Sequence, residues 1–312
     1  MKNKKILLFL FGFLFFLSFF FVKKSFSQYY SCNENCSADP NGCSSPLTCS
    51  GGVCRNPDCT TETDCTCPTG GWIKLKNTSF LSGNNLTNDI PATVTAYDSD
   101  DTTQRYFIIA STNYDPGVVS ANSINLNGAQ PSSKNWQATT TKTTSMSPSD
   151  FLGYVKSRKE FETIDNVGQI ETNDYNNAIL ISTGDLTVDD SNKTNFNNRN
   201  LVVVVNGNLN IDAAAFIPTN ASVAFIVTGT ITFSNTTTQA NGIFVAPTIN
   251  LGTTSNQGIK IVGNLSALGN LTSQRKWSTA SKPSVFIVFD QNQYISLLPL
   301  LSIANYNWQQ LR

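Results

Sequence analysis

Leu201-Val-Val-Val-Val-Asn-Gly207-Asn-Leu-Asn-Ile211 is an apolar run, a bend, and then a strict alternation of polar and apolar residues. Four other segments follow the same plan. They are Ala178-Ile-Leu-Ile-Ser-Thr-Gly184-Asp-Leu-Thr-Val188, Val223-Ala-Phe-Ile-Val-Thr-Gly229-Thr-Ile-Thr-Phe233, Asn241-Gly-Ile-Phe-Val-Ala-Pro247-Thr-Ile-Asn-Leu251 and Gln257-Gly-Ile-Lys-Ile-Val-Gly263-Asn-Leu-Ser-Ala267. Two residues past the bend stand Leu186, Leu209, Ile231, Ile249 and Leu265. Four past it stand Val188, Ile211, Phe233, Leu251 and Ala267.

The bends lie 23, 22, 18 and 16 residues apart, near one turn of a β-solenoid. One copy cannot bury its apolar face alone. Stacked copies place like residues over like at the strand spacing, about 4.8 Å. Gly184, Gly207, Gly229, Pro247 and Gly263 are the expected corners, and the Asn and Thr residues beside them can ladder along the stack. Such spacing also suits an antiparallel sandwich, but the shared register of bend and alternation favours the solenoid. The expected fold is mainly β: a parallel β-solenoid (β-helix) with a short helix and a small disulfide-rich N-terminal module.

Working outward, Phe80-Leu-Ser-Gly83-Asn-Asn-Leu86 echoes the same shape, and Ile90-Pro91 and Ile217-Pro218 follow similar bends. Trp72–Lys76 reads as the strand entering that turn. The solenoid domain is therefore placed at 71–312, with an excursion at about 92–177 and a C-terminal cap at about 280–312. Within the excursion, Thr103–Ala110 reads as a strand. Phe151, Leu152, Val155 and Lys159 have helical spacing, with Ser149 or Asp150 as the N-cap. That helix is expected to close one end of the stack. Strand-like Val285–Phe289, apolar Tyr294–Leu301 and Trp308 are expected to close the other.

The chain begins with Lys2, Lys4 and Lys5, the uncharged run Ile6–Val22, and Lys23-Lys24-Ser-Phe-Ser27. Residues 1–27 read as a secretory signal cut after Ser27, with an uncleaved membrane anchor as the alternative. All eight cysteines follow at once: Cys32, Cys36, Cys43, Cys49, Cys54, Cys59, Cys65 and Cys67. Residues 28–70 thus read as a module stapled by four disulfides, with connectivity open. Without histidine or paired Cys-x-x-Cys knuckles, zinc is the weaker reading.

The charge balance narrows function. The chain has 21 basic and 21 acidic side chains, but residues 1–27 hold five of the lysines and no acid. The remainder is mildly acidic and offers no electrostatic footprint for nucleic acid. It contains no histidine, the commonest general base and metal ligand. Between Leu201 and Thr272 the only charged side chains are Asp212 and Lys260, so that stretch lacks an acid–base pair. Asp98, Asp100 and Asp101 have oxygen ligands for calcium, and Asp185, Asp189 and Asp190 form a second acidic group. For both, a solvated acidic loop is the preferred reading. No catalytic residue, metal or cofactor is assigned.

Leu201–Ile211 and Ile243–Leu251 resemble the rungs of bactofilin-type polymer-forming proteins. The order of signal, Cys-rich head, Trp72 strand with Ile90-Pro91, rungs, Pro283-Ser-Val-Phe286 and late Trp308 resembles a group of large secreted proteins of small-genome bacteria, some thought to lie near pilus genes. The resemblance implies cell-surface architecture and transfers no catalytic residue. The expectation is an extracellular or cell-surface structural or adhesive protein, touching membrane only through its N-terminal segment. Cell-envelope components, surface glycans or pilus proteins are the expected partner classes. The alternatives are a carbohydrate-binding or carbohydrate-active β-helix, with Trp72, Tyr97 and Trp136 lining a groove, and a pilus-associated or self-assembling subunit.

Overall fold

The computed structural model describes residues 30–45, 47–55, 71–82, 84–94, 105–111, 118–134, 146–253, 257–277 and 281–302. The chain divides into two compact units, Met1–Cys67 and Pro68–Arg312. The fold is mainly β. Ile6–Val22 and Trp308 lie outside the described residues. Among those described, no helix is long and apolar enough to cross a membrane.

In the first unit, strands β1 (Thr48–Ser50) and β2 (Val53–Arg55) form an antiparallel hairpin. Its turn is Gly51-Gly52, both at positive φ. Among the described residues of the unit, the buried apolar cluster is Cys36, Cys43 and Cys54, packed by Tyr30, Leu47 and Cys49. So small a core needs covalent staples.

The second unit begins with β3 (Ile73–Lys76), β4 (Phe80–Leu81), β5 (Leu86–Thr87), β6 (Tyr106–Ile109), β7 (Val119–Ser120), β8 (Ile124–Asn125) and β9 (Gln130–Ser132). Helix α1 (Pro148–Arg158), β10 (Glu162–Ile164) and helix α2 (Gly168–Thr172) follow. Next come β11 (Ala178–Ser182), β12 (Leu186–Val188), β13 (Asn200–Val205), β14 (Leu209–Ile211), β15 (Ala215–Phe216), β16 (Ser222–Val227) and β17 (Thr230–Phe233). The chain continues through β18 (Gln239–Asn250), β19 (Ile259–Thr272), β20 (Val285–Phe289) and helix α3 (Gln291–Leu301). The main sheet has the order β10-β11-β13-β16-β18-β19-β20-β3-β6-β9. All its pairings are parallel. A second parallel series runs β12-β14-β17 and on through the later part of β18 to that of β19.

Register explains the unbroken apolar runs. Leu201 pairs with Val223, Val203 with Phe225 and Val205 with Val227, and these side chains belong to the main interior cluster. The alternate residues Val202, Val204, Ala224 and Ile226 belong to a second cluster with Phe151, Leu152 and Val155 of α1 and Leu297 of α3. Both faces of these strands are thus buried, as the Val-rich composition requires. Leu186, Leu209, Ile231 and Ile249 stack in register from the second series into the main interior.

The sequence reading is corrected at four places. Residues 105–132 are not wholly an excursion: β6 extends the main sheet beyond β3, β9 extends it further, and β7 and β8 pair with β4 and β5. The chain therefore lays down β3 to β9 at one end, crosses by α1, and restarts at β10 at the other. Second, α1 and α3 cover the outer face of the main sheet instead of closing its ends. The outward valines and isoleucines demand that cover. Third, β20 is an interior strand between β19 and β3, and Tyr294–Leu301 is helical with Pro299 inside α3. Fourth, the N-cap of α1 is Ser147, whose hydroxyl accepts the Asp150 N–H at 3.1 Å. Pro148 occupies the first helical turn, where a missing N–H costs nothing, and so fixes the cap one residue earlier.

Candidate functional site

The first candidate is the sulfur cluster of the head. The Sγ atoms of Cys36, Cys43 and Cys54 lie within 4.8 Å of one another, a spacing that suits a metal. They are, however, parts of two bridges, Cys36–Cys49 and Cys43–Cys54, so no thiolate is left there to ligate. Cys32 is also disulfide-bonded. Cys59, Cys65 and Cys67 lie outside the described residues. Peptide mapping of unreduced protein should recover the Cys36–Cys49 and Cys43–Cys54 pairs. A Cys36–Cys43 pair would refute this connectivity.

The second candidate is the acidic group of the rungs. Asp185 Oδ1 accepts the Asn208 backbone N–H at 2.7 Å. Asp189 Oδ1 accepts the Ser191 hydroxyl at 2.5 Å and the Ser191 and Asn192 N–H groups at 2.9 and 3.2 Å. Asp190 pairs with Lys193 at 2.6 Å. The Ser191 hydroxyl draws the Asp189 carboxyl below its ordinary range, and Lys193 does the same for Asp190. Both shifts run downward, so neither carboxyl is held protonated at neutral pH as a general acid must be. These acids pin turns. Asp98, Asp100 and Asp101 lie outside the described residues, as do Tyr97 and Trp136. Trp72, expected in a groove, is only 1% exposed and cannot line one.

A buried cation is also structural. The Arg275 guanidinium, 1% exposed, donates to the carbonyls of Leu251, Gly258 and Ser234. It thereby ties together the segments that follow β17 and β18 and the one that precedes β19. Arg275→Met should cost about 2 kcal/mol, because buried carbonyls lose a charged donor. Urea denaturation of the purified variant measures it.

The third candidate is the outward surface of the β12–β14–β17–β18–β19 series. One rank of side chains, directly after the bends, is Asp185, Asn208, Thr230, Thr248 and Asn270. A second, two residues on, is Thr187, Asn210, Thr232, Asn250 and Thr272. None of the ten is buried. Within the first rank, Asp185 and Asn208 each accept an N–H of the next rung, from Asn208 at 2.7 Å and Thr230 at 2.9 Å. In the second rank Asn250 Oδ1 accepts the Gly252 N–H at 2.9 Å. The side chains of Thr187, Asn210, Thr232, Thr248 and Thr272 make no hydrogen bond among the described residues.

Of the expected corners, Gly184, Gly207 and Gly229 lie in bends between paired strands. Pro247 sits inside β18, at a register shift between Ala246 and Thr248. Gly263 is inside β19, paired with Gly242, and the residues after Pro247 pair instead with Asn270 and Leu271. The sequence reading overlooked the opposite corners. Asn177, Asn198 and Asn220 enter β11, β13 and β16 with φ of 48°, 58° and 50°, the left-handed region that Asn tolerates best after glycine. Their signal was present: an Asn one or three residues before each apolar run.

Searches against protein-family models, curated proteins and solved structures found no match for this chain.

Proposed function

We propose that the chain is a non-enzymatic protein, secreted or held at the bacterial cell surface, whose second unit coils as a parallel β-solenoid serving as a rigid stalk or binding face. The observation that carries the coil is the paired progression of strands. The chain alternates between the two series (β11 then β12, β13 then β14, β16 then β17), and each strand pairs in parallel with its counterpart one turn later. The export reading is supported by the disulfides of the head, which persist in oxidising compartments. The non-enzymatic reading is supported by the roles of Asp185, Asp189 and Asp190, each engaged in a turn or a ladder.

The bactofilin-like resemblance suggests polymerisation, but the edges weigh against growth by end-to-end strand pairing. At the β9 edge, Pro131 has no N–H to offer, and proline on an edge strand blocks further pairing. A stalk or adhesive surface is therefore favoured over a self-assembling subunit.

Two measurements test this reading. Protease treatment of intact cells should remove the protein from the surface; full protection inside unbroken cells would refute export. Incubation of the purified chain with a panel of polysaccharides should release no oligosaccharide, and any steady release would overturn the non-enzymatic assignment.

A further inference from the structure

We propose that the two-rank Thr/Asn surface of the second unit is a binding face for a crystalline water lattice, that is, for ice. The inference rests on this surface alone and holds whether or not the strands coil.

Three features of the surface choose the occupant. The first is periodicity in two directions. Along the stack the side chains repeat at the strand spacing, about 4.8 Å, and across it the two ranks stand two residues apart on each strand, about 6.7 Å. These repeats are of the same order as the oxygen–oxygen spacings on faces of hexagonal ice. A partner that exploits such an array must itself be an extended lattice.

The second feature is chemistry. Nine of the ten positions are Thr or Asn and the tenth is Asp185. Only one of the ten side chains is charged, in a chain that is 13% charged overall. The face carries no lysine or arginine for an anionic partner. It carries no aromatic ring for a sugar to stack on. What it offers is hydroxyl and amide groups, with a methyl group beside each threonine hydroxyl. That mixture can donate to and accept from ordered water while holding the intervening waters in a cage.

The third feature is availability. Asn and Thr ladders are expected within stacked rungs for stability alone, and Asp185 and Asn208 are used in that way. The hydroxyls of Thr187, Thr232, Thr248 and Thr272 and the Asn210 amide are not so used among the described residues. They occur on every rung from β12 to β19, so ladder stability does not account for them.

The test uses the purified full chain in ice-affinity partitioning and in recrystallisation assays, beside Asn210→Lys, Thr232→Lys and Ser157→Lys. Ser157 is exposed on α1, over the other sheet, and serves as the control. The expected result is uptake of the native chain and of Ser157→Lys into growing ice, with loss of uptake in Asn210→Lys and Thr232→Lys. All four should show the same circular dichroism melting profile. Exclusion of the native chain from ice overturns the proposal, as does full activity of both lattice variants. Binding to insoluble cellulose or chitin without any effect on ice would also overturn it, assigning the face to a polysaccharide instead.

Discussion

Phe225→Ala is expected to lower the stability of the second unit by about 3–5 kcal/mol, the range for emptying a fully buried aromatic site. Phe225 lies on β16 with no exposure to solvent. Its ring meets Phe196 at a centroid distance of 5.6 Å, Phe216 at 5.8 Å and Phe244 at 5.8 Å. Phe244 also contacts Phe233 at 5.2 Å. Five rings therefore share one cluster, and Phe225 and Phe244 are register partners in the parallel sheet, stacked at 12°. Removing the central ring takes one neighbour each from Phe196, Phe216 and Phe244, and the strands cannot close the gap, because their spacing is fixed by backbone hydrogen bonds. Phe225→Leu keeps part of the volume and should lose well under half as much. Urea denaturation followed by far-UV circular dichroism measures both. A loss below about 1 kcal/mol for Phe225→Ala would contradict a packed interior at this position.

That cluster was legible in the sequence only in part. Phe225, Phe233 and Phe244 stand in the apolar positions of the repeat, so their burial follows from alternation. Phe196 and Phe216, the latter on β15, lie outside the repeat pattern and are nevertheless fully buried in contact with each other. Local pattern records the period of a strand; it does not record where a connection points. The same limit hid the helical layer. The spacing of Phe151, Leu152 and Val155 announces a helix with one apolar face, but nothing local says which surface it will cover. The outward face of β13 supplied the missing half of that argument, since Val202 and Val204 cannot remain in water at that density. The placement of β20 beside β3 was hidden for a different reason. Strands far apart in sequence pair by completing each other's backbone hydrogen bonds, and that need carries no residue-level signature.

The candidate surface was legible at the level of residue type. Asn and Thr beside the bends were expected to ladder, and in the first rank Asn208 does so, with Asp185 before it. What the sequence left open was which of them are consumed by the ladder and which remain available. That distinction depends on backbone register, and register is where the reading of the last rung failed.

Gly263→Ala tests that register directly. Two triplets in the last rung read alike, Gly263-Asn-Leu and Gly269-Asn-Leu, and alternation alone cannot choose between them. The structure pairs Ile249 with Leu271 and stacks Gly263 on Gly242 in mid-strand. Both glycines have backbone angles that L-residues rarely adopt, φ of 131° and 150°. A β-carbon on Gly263 would stand 2.7 Å from the Gly242 carbonyl carbon and nearer still to its oxygen. The clash is with backbone on a neighbouring paired strand, which cannot swing aside as a side chain can. Strain in φ alone costs about 1–3 kcal/mol, and the overlap adds to it, so Gly263→Ala is expected to cost about 3 kcal/mol or more. Gly269→Ala provides the contrast. Its φ lies outside the left-handed region and its β-carbon would stand 2.9 Å from the Pro247 carbonyl oxygen, at an exposed position near the end of the stack. Its loss should be clearly smaller. If Gly263 were instead the exposed corner that local pattern suggests, the two substitutions would exchange rank, and chemical denaturation of the pair decides between the registers.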